Sequence, residues 1–437
     1  MHSVQSGSSP SHSHSTAGNS PTGSETSASK RHTFTHLTYS RHHLIDIGKE
    51  TIKIAENGEY TNDKGEVVHI KKDLDWAGDN CIHYSHEFDF DEAMKKFEEE
   101  LSKHGNVEKI QEDKEVNNFG GIPRAPQSTD GPRRFHRTSF LVVSASWLEA
   151  ASELLNAEEK AIQTDNKSSK EPIHYRVGVL NSASSTTPGG RFLKGTVSQE
   201  DCLCRASLLY ACISQPKFQS EGRFYGRNRS MRYGSSNCVI FSPDVPVIRE
   251  DTVEGKLLDA YHKVSFVTIP APNAFTTSTA TGKEYNDVEA EDRLKKLSVH
   301  SRNVSEISLS KMGNSDEDAE TPEQAFERKW NELRSSVSDR IHRALAAFAL
   351  GNCVDLVLPA FGCGVHGNDP SMVASVFREM LTDPHQFGGR FRTVVFAIPP
   401  SRKQNYQAFA EFFNLCTRNV PSKFVAKPTL NRRETVQ

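Results

Sequence analysis

Two short runs of strand-forming residues, 175–180 (Tyr-Arg-Val-Gly-Val-Leu) and 356–358 (Leu-Val-Leu), each empty into a glycine-rich loop that opens a helix. The first loop, 181–198, carries Gly189, Gly190 and Gly195, and the second, 360–369, carries Gly362, Gly364 and Gly367. Strand, loop and helix in that order favour a sheet whose strands run parallel, with helices packed on its faces. The remaining pattern agrees. Residues 139–143, 237–241, 264–269 and 391–398 read as further strands, and 146–155, 198–214, 322–350 and 404–416 as helices. Asp369-Pro370 is a helix start, because proline is tolerated in a first turn. Upstream, 44–54 has helical spacing of apolar residues, and 59–70 reads as a hairpin turning on 62–65. The class is α/β with a parallel or mixed sheet.

The 437 residues are only 35% hydrophobic, with a mean hydropathy of -0.59, so a folded core is diluted by polar sequence. That polar sequence is localised. Residues 1–38 are a Ser/His-rich tail expected to be disordered. Insertions are expected at about 86–135, with a helix over 90–104, and at 276–320; residues 419–437 form a C-terminal tail. The folded domain is then 39–418. A net charge of -3 supplies no field for nucleic acid, so no direct nucleic-acid binding is expected. No apolar run is long enough for a bilayer, and the start lacks the apolar stretch of a secretory signal. The eight cysteines are scattered, without zinc-ligand spacing, which predicts reduced thiols, no metal, and a cytoplasmic or nuclear setting. His12, His14, His32, His36, His42 and His43 lie in or beside the tail and read as solvated sequence.

Ligands of open α/β sheets bind beyond the C-terminal strand ends, where both glycine loops are expected. Glycines there allow backbone N–H groups to approach an anion, and a following helix adds its positive end. The competing reading is a tight turn. Three glycines within 362–367 exceed what a turn requires and favour a ligand. At the start of the next helix stand Glu200 and Asp201. Ser198-Gln199-Glu200-Asp201 fits a capping box, which would commit Asp201 to the helix end. The chemical reading has one carboxyl transferring a proton while the other holds the ligand. Adjacent helical residues do not face each other, so they cannot flank a bond as an opposed acid and base.

The runs Asn181-Ser182-Ala183, Pro188-Gly189-Gly190-Arg191-Phe192-Leu193 and Gln199-Glu200-Asp201-Cys202-Leu203-Cys204-Arg205 resemble the signature of microbial-type poly(ADP-ribose) glycohydrolases. Further blocks agree in order, including Gly58-Glu59-Tyr60-Thr61, Pro270-Ala271-Pro272-Asn273, Phe361-Gly362-Cys363-Gly364-Val365 and Gly367-Asn368-Asp369-Pro370. The resemblance implies a macrodomain-like three-layer core with a mixed central sheet and a helical N-terminal extension. It implies hydrolysis of ADP-ribosyl O-glycosidic bonds in poly(ADP-ribose), releasing ADP-ribose, by a monomer that needs no cofactor. Its partners would be the polymer or an ADP-ribosylated protein. Asp201 would protonate the leaving oxygen and Glu200 would hold ribose hydroxyls. Asn181, Gly189, Gly190, Arg191, Gln199, Gly362, Gly364, Val365, His366, Gly367, Asn368 and Phe396 would bind the substrate. The chain departs from the pattern at three places: Arg191 replaces a third glycine, Asp201 a second glutamate, and His366 an aromatic residue. A non-catalytic ADP-ribose reader with an intact cradle is the alternative.

Overall fold

The computed structural model describes residues 40–103, 118–119, 122–123, 138–164, 176–231, 234–275 and 321–413. The expected tails, the 276–320 insertion and most of 104–135 lie outside the described residues. The described residues open with α1 (Arg41–Asn57), the hairpin β1 (Glu59–Thr61) and β2 (Val67–His69), α2 (Lys71–Asp79), β3 (Ile82–Tyr84) and α3 (Phe90–Lys103). A two-stranded ladder, β4 (Asn118–Phe119) and β5 (Ile122–Pro123), precedes β6 (Ser139–Val143) and α4 (Trp147–Thr164). Next come β7 (Arg176–Ala183), α5 (Gln199–Ala206), α6 (Leu209–Ile213), α7 (Phe224–Ser230), β8 (Val239–Arg249) and β9 (Leu257–Pro270). The chain continues through α8 (Pro322–Leu350), β10 (Cys353–Leu358), α9 (Pro370–Thr382), β11 (Thr393–Ala397) and α10 (Lys403–Phe413).

Seven strands form the main sheet, in the order β3-β8-β9-β7-β10-β11-β6. The run from β9 to β6 is parallel, while β8 and β3 complete one edge antiparallel. Side chains alternate across this sheet, as the two-residue period of a strand requires. On one face Leu180, Leu356, Leu358, Val394 and Phe396 pack under α8, α9 and α10. On the other, Val177, Val179, Val357, Val395 and Ala397 pack against α2, α4, α5 and α6. Both faces of the parallel strands are therefore buried, which explains their unbroken apolar runs. The expected macrodomain-like three-layer α/β arrangement with a mixed sheet is the observed one.

The helix expected over 198–214 is two helices. Ser207 turns to extended backbone (φ -131°, ψ 171°) and bridges Val247, while the Leu208 N–H donates to Pro246 O at 2.9 Å. Pairing with β8 overrides the local helical pattern. β8 itself runs well past 241, where the expected strand ended, and continues through Ser242-Pro243-Asp244-Val245-Pro246 to Arg249. Register shifts on both sides of Val245 absorb the irregularity, and Asp244 takes φ 49°. Arg176 clamps the Asp244 carboxylate through Nε and Nη2, at 2.9–3.2 Å.

Near the N-terminal ends of the parallel strands, Arg392 joins two layers. Its guanidinium donates to both oxygens of Asp355 on β10 (3.1 and 2.7 Å) and to Glu158 on α4 (2.9 Å). Asp355 is fully buried and also accepts from the Thr393 N–H. Removing one partner of a buried ion pair strands the other charge in a poor solvent. Asp355→Ala is expected to lower unfolding free energy by about 3–5 kcal/mol, measured by urea denaturation; a change below about 1 kcal/mol would show that Glu158 alone satisfies Arg392.

Candidate active site

β7 and β10 lie side by side in parallel, Val179 opposite Val357, so both glycine loops leave the same edge of the sheet. In the first loop Gly189 and Gly190 adopt left-handed backbone (φ 68° and 60°). Gly190 has a second requirement. A Cβ there would sit 3.0 Å from Asp201 Oδ1 and 3.2 Å from Glu200 Oε2, so the loop closes directly over the two carboxyls. Arg191 differs: its φ of -124° suits any side chain, and that side chain is exposed. An arginine where the resembled signature has a third glycine therefore costs the backbone nothing.

Both carboxyls are 2% exposed and each is wrapped in donors. Glu200 accepts from the Ser184 N–H (2.7 Å), the Gly189 N–H (3.2 Å) and Asn181 Nδ2 (3.4 Å). Burial still dominates and pushes its carboxyl up to about 8, with the Asp201 charge adding to the rise. Asp201 accepts from the Arg191 N–H (2.8 Å), the Ser198 N–H (2.8 Å) and Ser198 Oγ (2.7 Å). With the Asp201 N–H donating back to Ser198 Oγ, this is the complete capping box that the sequence pattern describes. Gln199 is committed to β7: its Oε1 accepts from the Ser182 N–H and its Nε2 donates to Leu180 O. Asn181 also donates to Thr268 Oγ1, while its Oδ1 is buried without a partner.

In the second loop Gly362 is left-handed (φ 71°), and a Cβ there would run into the Asn368 amide. Asn368 is buried and ties the loop to Pro272 O at 3.1 Å. Gly364 has open space above it, and Val365 is 57% exposed. His366 is half-buried, and burial with the nearby Arg340 charge lowers its ring to about 4, so it is neutral at pH 7. Asp369 caps α9 by accepting from the Met372 N–H.

The structure thus gathers Asn181, Gly189, Gly190, Glu200 and Asp201 at the first loop, with Gln199 and Arg191 at its margins. Gly362, Gly364, Val365, His366, Gly367 and Asn368 form the second. Phe396 does not join them. Its ring is fully buried on the core face, 4.4–5.4 Å from the rings of Phe413, Phe409 and Phe377, so the sequence-based assignment of this residue to the ligand is corrected. Other contributors went unread. Ser184 donates to Glu200, and Arg229 on α7 steadies the first loop by donating to Thr186 O. The segment after β9 backs the second loop: the Ala274 N–H donates to His366 O, and the Phe275 ring blocks any Cβ on Gly367. The Pro270-Ala271-Pro272-Asn273 block at a strand end was the available signal for that segment.

The sequence profile "Microbial-type PARG, catalytic domain" matches residues 48–250, the stretch that holds the first loop and both carboxyls. Residues 48–250 are thus similar to the catalytic domain of microbial-type PARG. Among solved structures, the poly(ADP-ribose) glycohydrolase (PARG) from Thermomonospora curvata is 27% identical, over 85% of this chain and 100% of that one, with a TM-score of 0.56. The Thermomonospora enzyme bound to the inhibitor ADP-HPD gives 26% identity, 85% and 99% coverage, and 0.53. None of the curated proteins matches the chain. Among the described residues no group of three or more His, Cys, Asp or Glu is arranged to hold a metal, and no helix is long and apolar enough to cross a membrane.

The raised Glu200 carboxyl makes stability depend on pH. Between its ordinary value of 4.5 and about 8, the folded protein holds a proton that the unfolded chain releases. The stabilisation from this proton is complete below 4.5 and lost as pH rises through 8. His83, His262 and His366 are lowered to about 4, so their contributions are complete above the unfolded histidine range. From about pH 7, where the unfolded histidines are mostly neutral, to 8, stability is expected to fall by at most about 1.4 kcal/mol per unit, and Glu200→Gln to flatten that slope in urea titrations.

Proposed function

We propose that this protein hydrolyses ADP-ribosyl O-glycosidic bonds in poly(ADP-ribose) and releases ADP-ribose. The observation that carries the reading is the carboxyl pair buried beneath Gly190, at the mouth of a loop family-matched to glycohydrolases and beside a second N–H-rich loop. Gly189, Gly190, Gly362, Gly364 and Gly367 cradle the diphosphate, the open space over Gly364 leaving room for it. Val365 and His366 border the same loop, and a neutral His366 ring can stack on a ribose without repelling or attracting phosphate. Arg191 adds a cation at the rim. The inhibitor complex of the Thermomonospora enzyme supports ligand entry in this fold.

Cleavage needs a proton for the leaving oxygen as its bond to the anomeric carbon breaks. The cationic centre that forms is stabilised by the adjacent diphosphate and captured by water. A carboxyl kept protonated near neutral pH by burial suits that task. The polymer, or the chain attached to an ADP-ribosylated protein, is the substrate, and the enzyme acts as a monomer in the cytoplasm or nucleus. The commitment of Asp201 to a helix cap favours the alternative, a reader that binds ADP-ribose without cleaving it.

Incubation of the purified protein with automodified polymer is expected to release free ADP-ribose, detected chromatographically. Intact polymer together with ADP-ribose binding would establish the reader. Calorimetry should show ADP-ribose binding that Gly364→Glu abolishes, since the new side chain meets no protein obstacle and places bulk and like charge where the diphosphate goes. Unimpaired binding by that variant would move the ligand off the second loop.

A further inference from the structure

We propose that Arg340, buried on α8 behind the second glycine loop, is a positioning residue for the diphosphate: it holds the segment that backs the loop and supplies a positive charge that no carboxylate of the described residues contacts. The proposal rests on the cradle in the reading above and adds to it a residue outside both loops. The Arg340 guanidinium donates to Pro270 O through Nη1 (2.9 Å), to Asn237 Oδ1 through Nε (2.9 Å) and to Ser235 O through Nη2. Pro270 ends β9, and the residues after it meet the loop at three points. Ala271 stands where a Cβ on Gly362 would go, Pro272 O accepts from the Asn368 amide, and the Ala274 N–H donates to His366 O. Arg340 is therefore one hydrogen bond and one short segment away from the loop.

Its charge balance sets this arginine apart. Arg340 is 4% exposed, and all three of its acceptors are neutral oxygens. Arg249 and Arg392 are also buried, but each meets a carboxylate directly, Glu50 for the first and Asp355 with Glu158 for the second. The acid that Arg340 feels is Asp339, which is exposed and is reached through the Asn237 amide, whose Nδ2 donates to it. A buried cation without a counter-ion in contact is costly. Burial lowers the Arg340 guanidinium to about 10, which leaves it charged at pH 7. The charge reaches the loop, because the His366 ring feels it. Such a field is weakly screened inside a protein, so an anion in the cradle gains from it and supplies the compensation that the protein withholds. Arg343, one turn further along α8, donates only to the carbonyls of Asn237, Phe88 and Ser85. It ties α8 to the segment before α3, and only Arg340 reaches the end of β9.

The test is calorimetric ADP-ribose affinity for the full chain and for Asn237→Asp, Arg340→Gln and Arg340→Lys, with melting temperature as the folding control and ADP-ribose release from polymer measured alongside. Asn237→Asp places a carboxylate oxygen where Arg340 Nε already donates, so the clamp is kept and its charge is cancelled. Its melting temperature should stay within about 4 °C of the wild type, while ADP-ribose affinity falls about tenfold. Arg340→Gln and Arg340→Lys both lose the planar fork, and only the lysine keeps the charge. The glutamine variant should bind at least about tenfold more weakly, and the lysine variant should recover most of that loss. The two comparisons are independent, so either decides the matter if a variant of the other does not fold. Wild-type affinity in Asn237→Asp, or equal losses in the glutamine and lysine variants, overturns the proposal and makes Arg340 a clamp alone; neither outcome touches the hydrolytic reading. Binding without release of ADP-ribose from polymer ends the hydrolytic reading and leaves the role of Arg340 to the same comparisons. A wild type that binds no ADP-ribose overturns both.

Discussion

Two carboxyl groups carry the architecture of this site, because backbone N–H groups from a loop without regular structure depend on them. Glu200 collects the N–H groups of Ser184 and Gly189, and Asp201 collects that of Arg191. A buried N–H without an acceptor costs free energy comparable to a lost hydrogen bond. The first glycine loop therefore has its shape only while the start of α5 stays where β7 puts it. Gln199 fixes that placement by pairing with the backbone at Leu180 and Ser182. The sheet, the helix start and the loop form one hydrogen-bonded unit.

The same unit explains how glycine is used. At Gly190 two independent demands coincide, a left-handed φ and the absence of room above two carboxylate oxygens. At Gly364 neither applies, and the space over it is open. The second loop is held from behind through Asn368, Pro272, Ala274 and Phe275, so its open face is the one turned away from the protein. Burial on one side and vacancy on the other is the arrangement expected of a preorganised anion site.

Much of this was legible in the sequence, for identifiable reasons. The parallel strands announce themselves because both their faces are buried, and the capping box reads directly from Ser198 and Asp201. What escaped depended on contacts between distant segments. The α5–α6 break arises where Ser207 pairs with Val247. The extension of β8 through two prolines relies on register shifts and on Arg176 holding Asp244. The contributions of Ser184 and Arg229 run through backbone groups or reach across the fold, and leave no motif. Phe396 shows the opposite error. It lies on a strand that ends near the site, but strand alternation turns its ring to the core, between α9 and α10.

Arg191 sits on the first glycine loop with ordinary backbone angles and an exposed side chain. Its N–H serves Asp201 whatever side chain it bears. The Asp201 contact of the first glycine loop therefore depends on the backbone of residue 191. A change of charge at this exposed position alters the electrostatic potential over the first loop, and with it the salt sensitivity of any anion approaching there. The charge presented over the loop and the hydrogen bonds that shape it can therefore vary as separate traits.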